Sequence, residues 1–218
     1  MQICDAFKSM DNQRKIKLFI DADDTILESS KAVINILNER FNIVPQKTYD
    51  DMKDWGYRSI YHQCTTKIVN EIYDSEEFFN IVKIHPDFMK FYNIHKNDFE
   101  WYIVTKGHSK NIKKKKEYFS KYLPLANVIG CQFKSPENEE YDKSHIDMNY
   151  GIQIDDRTDC LLGTNANVKM LFKNGRDFYW NQTNRTNESL YKMNTWKEII
   201  ETLEFALKNS GMFMEGVN

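Results

Sequence analysis

The stretch KLFIDADDTILES, Lys17 to Ser29, constrains this chain more than any other. Leu18-Phe19-Ile20 is an apolar, strand-like run that ends in three aspartates within four residues: Asp21, Asp23 and Asp24. Carboxylates this close raise one another's free energy. A fold that keeps them at the end of a buried strand must offset their charge, and a bound cation is the usual means. Two later segments repeat the theme. Gly151-Ile-Gln-Ile runs into Asp155-Asp156, and Phe99-Glu-Trp-Tyr-Ile-Val runs into Thr105-Lys106-Gly107.

Between these strands the periodicity is helical. Ala32, Val33, Ile36, Leu37 and Phe41 recur at helix spacing, with Pro45 as a stop. From Pro45 to Pro86 the chain reads as helical and aromatic-rich. A basic helix is expected over Ser109–Tyr122, short strands near Asn127–Cys131 and Lys169–Phe172, and a closing amphipathic helix through Trp196, Ile199, Ile200, Leu203 and Leu207. Strands alternating with helices predict an α/β fold: a parallel sheet covered on both faces. Ligands of such sheets bind beyond the carboxyl ends of the strands. If the three polar-ended strands are neighbours, their ends share one crevice.

Composition narrows the function classes. The chain has 218 residues, 41% hydrophobic and 14% aromatic, enough for one cored domain with a modest insertion. A net charge of −2 gives no global pull toward nucleic acid or anionic membrane. No apolar run approaches the roughly 18 residues of a membrane span, and the N-terminal stretch lacks a signal-peptide core. Cys4, Cys64, Cys131 and Cys160 are scattered, with no CxxC pair. A cytoplasmic, reducing location is expected, so the Asn-X-Ser/Thr matches at Asn181, Asn184 and Asn187 read as chance.

Asp21 and Asp23 alternate along a strand and face the same way, about 7 Å apart. Asp155 or Asp156 adds a third carboxylate. Oxygen-only ligands favour a hard cation, Mg²⁺ over Zn²⁺. One carboxylate can then attack phosphorus to give an aspartyl-phosphate, and a second can protonate the leaving alkoxide and activate water. Thr105, Lys143 and, beside Thr105, Lys106 are candidates to hold the spreading oxygen charge.

Asp21-Ala-Asp23-Asp-Thr25 after an apolar strand resembles the first motif of the haloacid dehalogenase superfamily. Thr105 resembles its second motif, Lys143 its third and Asp155-Asp156 its fourth, in order across residues 16–157. The resemblance implies a Rossmann-like parallel sheet with helices on both faces. It also implies a small helical cap inserted after the first strand, residues 29–85, leaving 1–28 and 86–218 as the core. The chain is most similar to the 5'(3')-deoxyribonucleotidase family. That likeness rests on Asp54-Trp55, Phe78-Phe79 before Ile84-His-Pro86, Asp142-Lys143-Ser144 running into Ile154-Asp-Asp-Arg157, and Trp196-Lys-Glu-Ile199. By position it makes Asp21 the nucleophile and Asp23 the acid/base. It puts Mg²⁺ on Asp21, the Asp23 carbonyl and an acid of the 155–156 pair, and phosphate on Thr105 and Lys143. Trp55 and Phe79 are the candidate pocket aromatics. A nucleoside monophosphate is the implied substrate, and a homodimer one assembly state. The chain departs from that family at Lys106-Gly107, where a hydroxyl residue and Pro are usual, and at Ser29, where animal relatives carry an aromatic.

Other readings compete. Asp24 alone is a helix cap. Lys113–Lys116 points around a helix rather than along one face and reads as solvated, so a nucleic-acid partner is not expected. The same chemistry on another small phosphomonoester or a nucleic-acid 3'-phosphate is one alternative. A catalytically inert binding module is the other, and five intact site residues argue against it.

Overall fold

The computed structural model describes residues 15–53, 56–132, 143–182 and 190–212. Its centre is β1 (Ile16–Asp21), buried along almost its whole length. Apolar side chains on both faces are what a strand needs when helices cover a parallel sheet on both sides. β2 (Phe99–Gly107) pairs with one edge of β1, and β4 (Gly151–Asp155) with the other, both parallel. β3 (Ala126–Gln132) lies beyond β2, and β5 (Val168–Phe172) and β6 (Leu190–Met193) beyond β4. The sheet runs β3-β2-β1-β4-β5-β6, every pair parallel. This order reverses at β1, and the crevice there is where doubly wound sheets bind ligands. The expected α/β, Rossmann-like architecture is therefore the one observed.

Seven helices appear among the described residues. α1 (Ser29–Arg40), α2 (Thr66–Tyr73) and α3 (Glu76–Ile81) lie between β1 and β2 and pack on one another. α1 buries Ala32, Val33, Ile36 and Leu37, as its spacing predicts, and ends where Asn42 turns to φ +50°. α4 (Pro86–His95) packs against α7 (Trp196–Met212). α5 (Ser109–Tyr122) buries Asn111, Ile112, Lys115 and Phe119 along one face. It sits close to β3 because residue 130 is glycine: a Cβ there would meet Ile112 Cγ2 at 2.3 Å. α6 (Thr158–Leu162) and β6 are short elements that periodicity does not reveal.

The helical segment after β1 has paired ends. Leu27 bridges Ile84, Glu28 N–H donates to the Lys83 carbonyl (2.9 Å), and His85 N–H donates to the Ile26 carbonyl (2.7 Å). Its far side is tied to the β5–β6 connection by Arg176, which donates to the carbonyls of Tyr49, Asp50 and Met52 and stacks over Tyr49 and Phe178. No described helix is long and apolar enough to cross a membrane.

Candidate active site

Parallel pairing brings three strand ends together. In register, Asp21 sits beside Val104, one residue before Thr105, and Ile20 sits beside Ile154, one residue before Asp155. One carboxylate oxygen from each of Asp21, Asp155 and Asp156 falls within 4.8 Å of the others. Lys143, 2% exposed, donates from a short helical turn to Asp21 Oδ1 and to Asp155 Oδ2 (2.7 Å). Asp21, Lys143, Asp155 and Asp156 thus meet at one crevice, with Thr105 on the neighbouring strand end.

The two acids after β4 differ. Both oxygens of Asp155 accept protein donors, Oδ2 from Lys143 and Oδ1 from Arg157 N–H (3.0 Å). Asp156 accepts only the Trp180 indole N–H, on Oδ2 at 3.2 Å, among the described residues. Its other oxygen, like Asp21 Oδ2, takes no described donor. Trp180 was not expected here. It lies 24 residues from Asp156 in a turn stacked on Phe178, at 4.2 Å between ring centroids, and no local pattern marks it.

Burial governs the charges. Burial lifts the Asp21 carboxyl to about 7; Lys143 opposes the shift, and Asp155 and Asp23 add to it. Asp156 is raised well above the ordinary carboxylate range by burial and then by Asp21. Burial pulls the Lys143 ammonium down, but Asp155 and Asp21 outweigh it and hold the group well above its usual value. Two ammonium groups, Lys143 and Lys115, face five carboxylates here, counting Asp23 and Asp24. The excess negative charge and the all-oxygen donor set fit a divalent hard cation on Asp21 and Asp156.

The turn after β1 is built to hold the other acids. Ile26 and Leu27 N–H both donate to the Ala22 carbonyl, and Trp196 Nε1 donates to the Thr25 carbonyl (3.0 Å). Asp24 sits at φ +53°, in the left-handed region that Asp enters more readily than most residues. Its carboxylate accepts from Ser30 N–H (2.7 Å) and Ser30 Oγ, so it does cap α1. Burial raises it to about 6, against the pull of the Ser30 hydrogen bonds. Ser30 Oγ also meets Tyr57 Oη at 3.0 Å.

Asp23 is gripped at both oxygens. Ser29 Oγ donates to Oδ1 at 2.7 Å, and Lys115 donates to Oδ2. Here the expectation for Lys113–Lys116 needs correcting: Lys115 is not solvated. At 100° per residue a run of four covers every face of a helix, so one lysine must point inward. Lys115 falls in the buried Asn111–Phe119 stripe and reaches Asp23 and Thr105 Oγ1 (2.7 Å). That stripe was the available signal, since a lysine at a core position needs an acid partner.

Beside Asp23 lies a cavity of about 90 Å³, walled by Val69, Asn70, Tyr73 and Asp74 of the helical segment, by Lys106 at the end of β2 and by His108 just after it. Phe79 is not among its lining residues. It packs on Phe78 and Tyr118, with Lys114 above its ring. Asp54, Trp55 and Asp142 lie outside the described residues.

Solved structures with this arrangement of strands include a haloacid dehalogenase-like hydrolase from Streptococcus pneumoniae. It is 13% identical, with TM-score 0.57 over 87% of this chain and 98% of that one. A subfamily IA hydrolase of the same superfamily from Geobacter sulfurreducens is 13% identical, with TM-score 0.51 over 86% and 96%. A chain from Bacillus subtilis assigned to these hydrolases, solved bound to magnesium, is 17% identical, with TM-score 0.52 over 87% and 99%. No protein-family model and no curated protein sequence matches the chain. At these identities the likeness establishes the fold, which is haloacid dehalogenase-like.

Proposed function

We propose that this chain, on its haloacid dehalogenase-like fold, is a Mg²⁺-dependent phosphomonoesterase that works through an aspartyl-phosphate on Asp21. The convergence of Asp21, Asp155 and Asp156 around the Lys143 ammonium carries the reading. Asp21 and Asp156 would hold the metal, since both oxygens of Asp155 are already engaged. When bound, Mg²⁺ neutralises charge between the nucleophile and a phosphate dianion.

The Asp21 carboxylate attacks phosphorus while Lys143 stays hydrogen-bonded to it. The bond from phosphorus to the leaving oxygen breaks, and the alkoxide takes the proton of Asp23 in its carboxylic-acid form, which keeps lone pairs to accept from Ser29 and Lys115. Asp23, now ionised, accepts a proton from the water that attacks the acyl-phosphate. The Asp21–phosphorus bond breaks, inorganic phosphate leaves, and both carboxyl groups return to their starting states. Thr105 and Lys143 stabilise the spreading oxygen charge.

We further propose nucleoside monophosphates, deoxynucleotides above all, as substrates. The sequence likeness to 5'(3')-deoxyribonucleotidases supports this. One observation favours a second reading. A cavity of about 90 Å³ beside Asp23 is small against the roughly 300–1,000 Å³ of sites that enclose larger ligands. Either the helical segment opens for a nucleotide, or the substrate is a smaller phosphomonoester. Phosphate release with Mg²⁺, with and without EDTA, decides. The panel is dUMP, dTMP, UMP, 3'-nucleotides, sugar phosphates and a 3'-phosphorylated oligonucleotide. EDTA-sensitive release from deoxynucleotides is the expected result. Release from sugar phosphates or oligonucleotide alone keeps the chemistry and replaces the substrate. No release overturns the phosphatase reading.

A further inference from the structure

Lys115 lies outside the motif-matched residues, yet it touches two of them. The side chain is 0% exposed and donates to Asp23 Oδ2 and to Thr105 Oγ1 at 2.7 Å. With Ser29 on the other oxygen, the Asp23 carboxylate is fixed from α5 on one side and α1 on the other. An ammonium has donors and no acceptor, so the sense of both bonds is set. Thr105 therefore uses a lone pair on Lys115 and keeps its own proton to give elsewhere. No described residue accepts that proton.

The rotation of α5 that aims Lys115 is itself fixed. Asn111, one turn earlier, donates from Nδ2 to the Tyr73 carbonyl at 2.6 Å. Ile112 sits against Gly130, and Phe119, one turn later, is fully buried. Lys115 makes no ion pair with Asp21, Asp155 or Asp156 among the described residues; Asp21 and Asp155 pair with Lys143. The two lysines thus serve different oxygens: Lys143 the nucleophile, Lys115 the proton carrier.

We infer that Lys115 is a positioning residue. It holds Asp23 where the leaving oxygen departs. The inference rests on the phosphatase reading above. Its signature is dependence on the leaving group, because an alkoxide needs a proton to depart and p-nitrophenolate does not.

The test compares kcat/KM, which reports leaving-group departure, for an alkyl phosphate and for p-nitrophenyl phosphate. K115M is expected to lose on the order of 10²-fold on the alkyl ester and less than about 5-fold on the aryl ester. In a D23N background K115M should add less than about 3-fold, because its effect passes through Asp23. Equal losses on both esters, or losses that multiply in D23N, would overturn the inference and make Lys115 a phosphate-binding or purely structural cation. K115R keeps the charge but not the geometry. It should show a smaller loss with the same selectivity, and it carries the comparison should K115M not fold; an unselective loss in K115R also overturns. Unfolding of K115M, D23N and the double variant gives a readout free of turnover. Non-additive stabilities are expected, and additive ones overturn the pair. If the wild type turns over neither ester, the phosphatase reading falls and the proton-transfer role falls with it. The unfolding cycle then still reports on the contact itself.

Discussion

The floor of the crevice and its helical roof are held by different physics. The floor is charge on rigid strand ends: Asp21, Asp155 and Asp156 around Lys143, with Thr105 alongside. Asp21, Thr105 and Asp155 are placed by sheet register, which a one-residue slip would invert. The roof is α1 to α3 with Tyr49–Asp51, packed by aromatics and tied down by neutral or half-exposed hydrogen bonds such as Ser30–Tyr57 and those of Arg176. The floor is therefore expected to tolerate less change than the roof.

The sharpest contrast comes from the floor. Asp21→Asn should reduce phosphate release by on the order of 10³-fold or more with the fold intact by circular dichroism. Retained turnover would remove the assigned nucleophile. Lys143→Met leaves Asp21 and Asp155 buried without their cation. The unfolding free energy from denaturant titration should fall by about 3–5 kcal/mol, and a loss below about 1 kcal/mol would make the floor no stiffer than the roof.

Acidity sharpens the comparison next. Asp21 and Asp24 are lifted to about 7 and about 6, so the folded chain keeps protons that the unfolded chain has lost. Folding then takes up protons between pH 4 and 7, and stability of the metal-free protein falls by several kcal/mol as pH rises through that window. Millimolar Mg²⁺ should reverse much of the fall, and melts at pH 5 and pH 8 with EDTA or Mg²⁺ check both signs. In the roof, Arg176→Ala should cost about 1–2 kcal/mol. Tyr57→Phe should cost about 1 kcal/mol and change selectivity among esters more than the rate on p-nitrophenyl phosphate. A larger effect of Tyr57→Phe on that ester would tie roof and floor together.

The same divide explains what the sequence discloses. Asp21, Thr105 and Asp155 follow apolar runs at strand ends, so the residues that converge are marked by local pattern once the sheet is parallel. Lys143 needed motif order as well. Lys115, Ser29 and Trp180 lacked such marks. Lys115 hides in a run of identical residues where only the buried stripe of α5 singles it out, Ser29 reads as an ordinary helix start, and Trp180 meets Asp156 through a turn whose shape periodicity does not encode. Phe79 stands out in the sequence for its aromatic ring, and the structure packs that ring on Tyr118 and Phe78. Aromatic residues in a small helical segment have a core to fill before they have a ligand to meet.

The paired ends of that segment, Leu27 with Ile84 and Glu28 with Lys83, have an evolutionary consequence. A stretch that leaves and re-enters through adjacent residues is, in polymer terms, a closed loop. Its closure entropy grows only with the logarithm of its length, roughly 0.6 kcal/mol per doubling. Residues can be added to such a loop or removed from it at small entropic cost while its two ends keep their places beside the sheet. Descent with a fixed reaction and a changing diet of esters needs only that one doorway.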